Sequence, residues 1–284
     1  MARPKGPPTG SGGPSIGLIF ILALLLAAGF YWWEGGLAPY WNSIFGDTAR
    51  EQPRPQMEQA ESPPPATEPV PTQFPMPALP EKDKPKALPP VDKSDPTILE
   101  ALMGTFKADG LAGFINMQDY VRRLVITVDN LPRELVPSQM NMVQRIPGLL
   151  DVDDSADVVT LSSRNYARYN AFVSFASSLD PRLLVNLYLR FYPLLDQTYK
   201  EIGHPTARFH DRIIVAIDDL LAAPSPTGPI ELIQPKILYR FVDPELQKLS
   251  AGQKIMVRVG PENAKELKQV LRRLRRELLG QPVN

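Results

Sequence analysis

Two histidines and no cysteine leave this 284-residue chain few imidazole and no thiolate ligands, so the chemistry open to it is narrow. Without Cys there are no disulfides, thiolate zinc sites or Cys nucleophiles. His204 and His210 stand six apart with Asp211 beside the second. Zinc wants three or four converging ligands, and a helical His pair normally sits at i, i+4. The spacing predicts instead that His204 caps a helix starting at Pro205 and that His210 lies off that helix's apolar stripe. Asp151, Asp153 and Asp157 fall at positions one, three and seven of a calcium-type loop. The sixth position is Ala156 where such a loop needs Gly, and the twelfth is Ser162 rather than Glu, so a solvated acidic turn before a strand is expected. No Gly-x-Ser-x-Gly occurs, Ser250 and Lys254 are one residue too far apart for Ser-x-x-Lys, and no Gly-rich phosphate loop follows a strand. The sequence therefore assigns no catalytic residue, metal or cofactor. The rival reading is a cell-wall-directed enzyme or ligand-binding domain with a carboxylate site drawn from Asp211, Asp218 or Glu231, since paired carboxylates need no visible motif.

Polar recognition is the chemistry that remains. Lys236, Tyr239, Lys254, Arg258 and Asn263 cluster in one stretch of sequence and form the candidate site. On a helix over Ala251–Val259, Lys254 and Arg258 are at i, i+4 and share a face. Two such cations repel by a few tenths of a kcal/mol and call for an acidic neighbour. That neighbour is either internal (Glu231, Asp243 or Glu262) or an anion on a partner. In the second case Asn263 and the amides of the Gly260-Pro261 helix start would add donors. The final helix carries Lys265, Lys268, Arg272, Arg273, Arg275 and Arg276, read as the solvated face of a core-packed helix, with a lipid-surface sensor as the weaker reading. Thirty-one basic against 31 acidic residues argue against a nucleic-acid partner.

Helices must position these residues. A capping residue followed by Pro at the first helical position recurs at Asp95-Pro96, Asp180-Pro181, His204-Pro205, Asp243-Pro244 and Gly260-Pro261. Helical periods run over Asp119–Asn130, Arg164–Ser178, Asp180–Ile202, His204–Ala223 and Pro261–Leu279. Leu184, Leu187, Phe191, Leu194, Leu195 and Tyr199 form the apolar side of the third, where Pro193 is expected to kink the helix. Phe209, Ile213, Ala216, Ile217, Leu220 and Leu221 form that of the fourth, and Leu267, Val270, Leu271, Leu274 and Leu278 that of the last. Strand signals are confined to Val158–Leu161 and to Ile230–Ile233 with Ile237–Phe241, a short ribbon around Pro235.

Ahead of this helical domain, placed at 96–280, the chain changes character twice. Ser15–Trp33 is 19 residues without a charge, which as a helix covers ~28 Å and spans a bilayer core. Arg3 and Lys5 precede it and Glu34 follows, so the positive-inside bias puts residues 1–14 in the cytoplasm and the rest across the membrane. Residues 34–95 hold most of the 15 prolines between Pro39 and Pro96 and predict a disordered or polyproline-II linker. Its PxxP patterns, such as Pro77–Pro80, are expected to be spacer rather than ligand. The fold class is mainly α: one transmembrane helix, a Pro-rich linker and a helical domain with a short β-ribbon.

The stretches Val128-Asp-Asn-Leu-Pro-Arg133 and Asn165-Tyr166-Ala-Arg168-Tyr169 resemble an uncharacterised bacterial family, domain of unknown function 3014. Gly228–Leu232, Lys236–Tyr239, Ser250–Lys254 and Gly260–Asn263 resemble it too, so the likeness runs from Ile98 to Leu279. The resemblance implies a single-pass, membrane-anchored protein with a Pro-rich spacer, and it brings no activity or ligand. The expected function is a non-enzymatic binding or scaffolding module in the envelope. It would be held in a bacterial inner membrane with its domain in the periplasm and an envelope protein as partner.

Overall fold

Capping chemistry decides where the helices of this chain begin. The computed structural model describes residues 73–84, 87–106, 117–134, 150–154, 157–235 and 239–281. The expected anchor at Ser15–Trp33 and the linker before Gln73 lie outside them, as does Lys236. Among the described residues no helix is long and apolar enough to cross a membrane. The elements are α1 (Asp95–Phe106), α2 (Tyr120–Asn130), β1 (Val152–Asp153), β2 (Thr160–Leu161), α3 (Arg164–Ser177), α4 (Pro181–Glu201), α5 (Phe209–Ala222), β3 (Leu232–Ile233), β4 (Arg240–Phe241), α6 (Pro244–Lys248), α7 (Ala251–Arg258) and α8 (Pro261–Leu278).

Asp180, Asp243 and Ser250 cap α4, α6 and α7 by accepting the amides of Arg182, Glu245 and Gln253, so each start falls where the sequence puts it. Asp95 works differently. It is already helical, and its carboxylate reaches across to the amides of Asp119 and Tyr120, 2.8 and 3.0 Å away, capping α2 instead of its own helix. The helix expected from Pro205 begins only at Phe209. Asp196 of α4 accepts the Phe209 amide at 2.9 Å, an N-cap delivered from another helix, and His204–Arg208 is left as a turn.

The predicted apolar stripes form the core. Leu184, Leu187, Phe191, Leu194, Leu195 and Tyr199 of α4, and Leu267, Val270, Leu271, Leu274 and Leu278 of α8, are all buried. Helix α8 packs on α3, α4 and α5, while α2 packs on α4 and α5 and α7 on α5. Helix α4 runs on through Pro193 as one element. Among the described residues the β structure is two short antiparallel ribbons, β1–β2 and β3–β4, linked by a bridge between Thr160 and Glu231. Strand β1 lies inside the run expected to be an acidic turn. Leu161, Ile230, Leu232, Phe241 and Val257 make a small second core beneath the ribbons.

The Pro-rich segment departs most from expectation. Composition places residues 73–94 in the linker, yet Phe74, Leu79, Leu88 and Val91 pack against the main core. Extended backbone at Pro80 and Pro90 leads into two 3-10 turns, Glu81–Asp83 and Val91–Lys93. Over these residues the segment expected to be a disordered or polyproline-II spacer packs on the domain as a strap. Proline is pre-set for the extended form, so ordering it costs less entropy than ordering an ordinary loop.

Candidate functional site

Helix α7 carries the two cations singled out by the sequence, and its start is fastened from three sides. The Ser250 hydroxyl accepts the Gln253 amide and donates to Asp219 Oδ2 at 2.6 Å. Ala251 and Gly252 donate their amides to the carbonyls of Arg133 and Leu131 at 2.7 and 3.0 Å. Gly252 allows that approach, because a Cβ there would stand 2.8 Å from a methyl of Leu131 and 2.7 Å from one of Leu220.

Lys254 and Arg258 are both buried, at 6% and 8% exposure. The Arg258 guanidinium lies 4.9 Å from the centre of the Phe241 ring in β4. Burial pulls its pKa down to about 10, with Tyr169 acting in the opposite direction. Burial also lowers the Lys254 ammonium, helped by repulsion from Arg258 and resisted by Glu134. Glu134, from the loop after α2, is thus an acid that acts on Lys254, while Asp243 accepts in the α6 cap. Tyr239 is half-buried beside the small core under the ribbons. Asn263 shares its amide hydrogens among the Tyr166 carbonyl (2.9 Å), the Val259 carbonyl (2.9 Å) and Asn170 Oδ1 (3.2 Å). Four of the five candidate residues are therefore described, and they join α7, α8, α3 and the ribbons.

The carboxylates of the rival reading are dispersed. Asp211 is gripped by Arg208 at 2.6 and 2.8 Å, Asp218 by Arg275 at 2.6 and 3.0 Å, and Glu231 lies exposed in the ribbon bridge. Two clefts among the described residues are lined by other side chains. One, of about 460 Å³, lies between Asp83, Lys84, Thr105, Asn186 and Arg190. The other, of about 190 Å³, is lined by Tyr166, Thr227, Met256 and Pro261 among others. The basic residues of α8 divide: Lys268 donates to the Ala223 carbonyl at 2.5 Å and Arg275 holds Asp218, whereas Lys265, Arg272 and Arg276 are exposed.

Two clusters escape a reading by period alone. Asp129, 4% exposed at the end of α2, faces Arg212, Arg133 and His204 at 3.0, 2.8 and 3.4 Å. His204 is also stacked on Tyr199 with centroids 4.4 Å apart, so it ties α2 to α4 rather than capping a helix. His210, expected off the stripe, is fully buried; its Nε2 donates to the Pro75 carbonyl at 3.0 Å, which leaves Nδ1 to accept from the Tyr188 hydroxyl at 3.1 Å. Burial keeps its imidazole below the ordinary value. The one signal in the sequence was the His-Asp pair itself. Its partner is a proline segment 135 residues away.

A protein family described as "Protein of unknown function (DUF3014)" matches residues 120–275, 156 of the 284 in the chain. The chain belongs to the DUF3014 family. The match opens on the first residue of α2 and closes three residues short of the end of α8. Neither the curated proteins nor the solved structures yielded a match.

Inside the DUF3014 region, the segments that carry the resemblance meet one another. Val128–Arg133 supplies the carbonyls for the start of α7 within Ser250–Lys254. Tyr166 accepts from Asn263 and lays its ring where a side chain at Gly260 would stand. Asn165 holds Asp151 through its carbonyl and amide. These residues lock helices together.

Proposed function

We propose that this DUF3014 chain is a single-pass protein of a bacterial inner membrane, and that its helical domain serves in the periplasm as a non-enzymatic binding or scaffolding module for an envelope assembly. One observation carries the reading: an uncharged 19-residue segment, with cations before it and an acid after it, precedes a domain that folds on its own core. The use of charge inside the domain supports it. Asp129, Asp196, Asp211, Asp218 and Asp219 each hold a helix end or a neighbouring helix, as structural carboxylates do. An alkaline-phosphatase fusion placed after Asp95 tests the topology. Activity in whole cells is expected, and an inactive, stably expressed fusion overturns the anchor and the compartment together. Mild-detergent co-purification tests the scaffold. Reproducible recovery of the same envelope proteins is expected, and a lone protein carrying a small molecule overturns it.

A further inference from the structure

The main chain of Phe74 and Pro75 is read entirely by side chains of α5 and the turn before it. The Phe74 amide donates to Asp211 Oδ1 at 2.8 Å, the Phe74 carbonyl accepts from Arg208 Nη2 at 2.8 Å, and the Pro75 carbonyl accepts from His210 Nε2 at 3.0 Å. Proline has no N–H, so every backbone polar group of the dipeptide is satisfied. Asp211 and His210 are themselves buried, and both are braced without help from the strap: Arg208 clamps Asp211, and Tyr188 holds the far nitrogen of His210. Phe74 and Leu79 turn their side chains to the core, and Pro77 lies beside Gly280 at the end of α8, within 3.7 Å of where a Cβ would be. No charged side chain of the strap contributes between Gln73 and Leu79.

This is the pattern of peptide recognition: fixed side chains hydrogen-bond a main chain, one partly buried ring packs on the core, and proline lowers the entropy of ordering. Nothing in it uses the covalent link between strap and domain. We propose that the α4–α5 corner is a recognition site for an extended aromatic–proline peptide, occupied in cis by residues 73–79 until a partner's segment of the same chemistry displaces them. The inference deepens the binding-module reading and rests on it for the existence of a partner. It does not depend on the membrane, so a failed fusion assay leaves it standing and a failed titration leaves the anchor standing. A tethered segment competes at an effective concentration on the order of mM, so a free peptide meets a site that is closed most of the time.

The test uses a fluorescent peptide with the sequence of residues 73–80, titrated by anisotropy onto the full chain in detergent and onto its Phe74→Asp variant, whose strap would have to place a carboxylate where the ring packs on the core. The variant should bind the peptide at least ~10-fold more tightly than the parent, by removal of the cis competitor. Adding Arg208→Ala to it should weaken that binding at least ~10-fold, as should Phe→Ala in the peptide. A folded Phe74→Asp chain that binds no better than the parent overturns the site, and so does binding indifferent to Arg208→Ala. If Phe74→Asp fails to fold, the strap is core and the proposal falls as well. Hydrogen exchange of the parent gives a second measure: the Phe74 amide should exchange well before the amides of α4 and α5, and exchange together with them overturns an independently opening strap.

Discussion

Arg212 and Asp129 meet twice. The guanidinium Nε lies 3.0 Å from Asp129 Oδ1, and Nη2 donates to the backbone carbonyl of the same aspartate. One side chain of α5 thus holds both the charge and the open end of α2, where carbonyls lack helical partners.

Removing the acid should cost more than removing any one of its bases. Asp129→Ala leaves Arg212, the least exposed of the three, without its acid, while Arg133 and His204 keep access to solvent, and about 1–3 kcal/mol of lost stability is expected. Arg133→Ala removes a guanidinium that is half-exposed and i, i+4 to Asp129, so less than about 1 kcal/mol is expected. Urea denaturation of both variants checks the order, and equal losses would contradict it.

Gly260 should not tolerate alanine. Its backbone sits at φ 90° and ψ 159°, which only glycine adopts freely, and a Cβ would fall 2.4 Å from the Tyr166 ring. Backbone strain alone is about 1–3 kcal/mol, and the displaced ring adds to it. Pairing Gly260→Ala with Tyr166→Ala separates the parts, because the clash disappears and the strain stays. A melting temperature for the double variant above that of Gly260→Ala is the expected outcome.

How much of this could be read in advance follows from the range of each contact. The stripes on α4, α5 and α8 were legible because periodicity is local and burial follows it. Ser250 as a cap was legible for the same reason. His210 was not, since what buries its face is Phe74–Pro75 from the far end of the sequence. The strap was read as spacer because its four apolar anchors are separated by prolines and show no period. At the candidate site the i, i+4 pairing of Lys254 and Arg258 was visible, but the Phe241 ring beneath Arg258 and Glu134 near Lys254 come from other elements.

The His210 contact should make stability depend on pH. Burial holds the folded imidazole below its ordinary value of 6.5, so the unfolded chain takes up the proton first as pH falls. Stability present above about pH 6.5 is therefore lost on acidification, at no more than about 1.4 kcal/mol per pH unit, the limit for one proton. Tyr188 meets this ring from α4, Arg208 acts on it from the turn before α5 and Asp211 from α5, while the strap between Gln73 and Leu79 brings no titratable group. Subtracting the profile of His210→Gln between pH 7.5 and 5.5 isolates the contribution. A residual that rises towards acid would contradict the sign.

Ser250→Ala removes a helix cap and strips Asp219 of a donor in one step. Loss of the cap is worth about 1–2 kcal/mol. Burial already raises the Asp219 carboxyl, against the pull of Ser250 and Arg212, so without Ser250 it should rise further. An acid whose folded pKa is raised recovers stability as pH falls, because the folded state then binds the proton more readily than the unfolded one. The penalty of Ser250→Ala should accordingly be larger at pH 7 than at pH 4. Chemical denaturation of parent and variant at the two values decides it.

Arg258 is the candidate residue for which structural and anion-binding roles part most cleanly. Its guanidinium is buried with its central carbon 4.9 Å from the centre of the Phe241 ring, a contact that a compact lysine ammonium fills less well. Arg258→Lys keeps the charge for an anion on a partner but weakens the contact between α7 and β4. A structural role predicts about 1–2 kcal/mol of lost stability in Arg258→Lys, with any binding of inorganic phosphate to the folded protein unchanged. An anion-recognition role shared with Lys254 and Asn263 predicts the reverse in Lys254→Met, where phosphate binding disappears and the fold holds. The burial of both cations, and the commitment of the Asn263 amide to three internal acceptors, favour the structural outcome. Isothermal titration with phosphate beside a thermal melt on the same two variants decides between them.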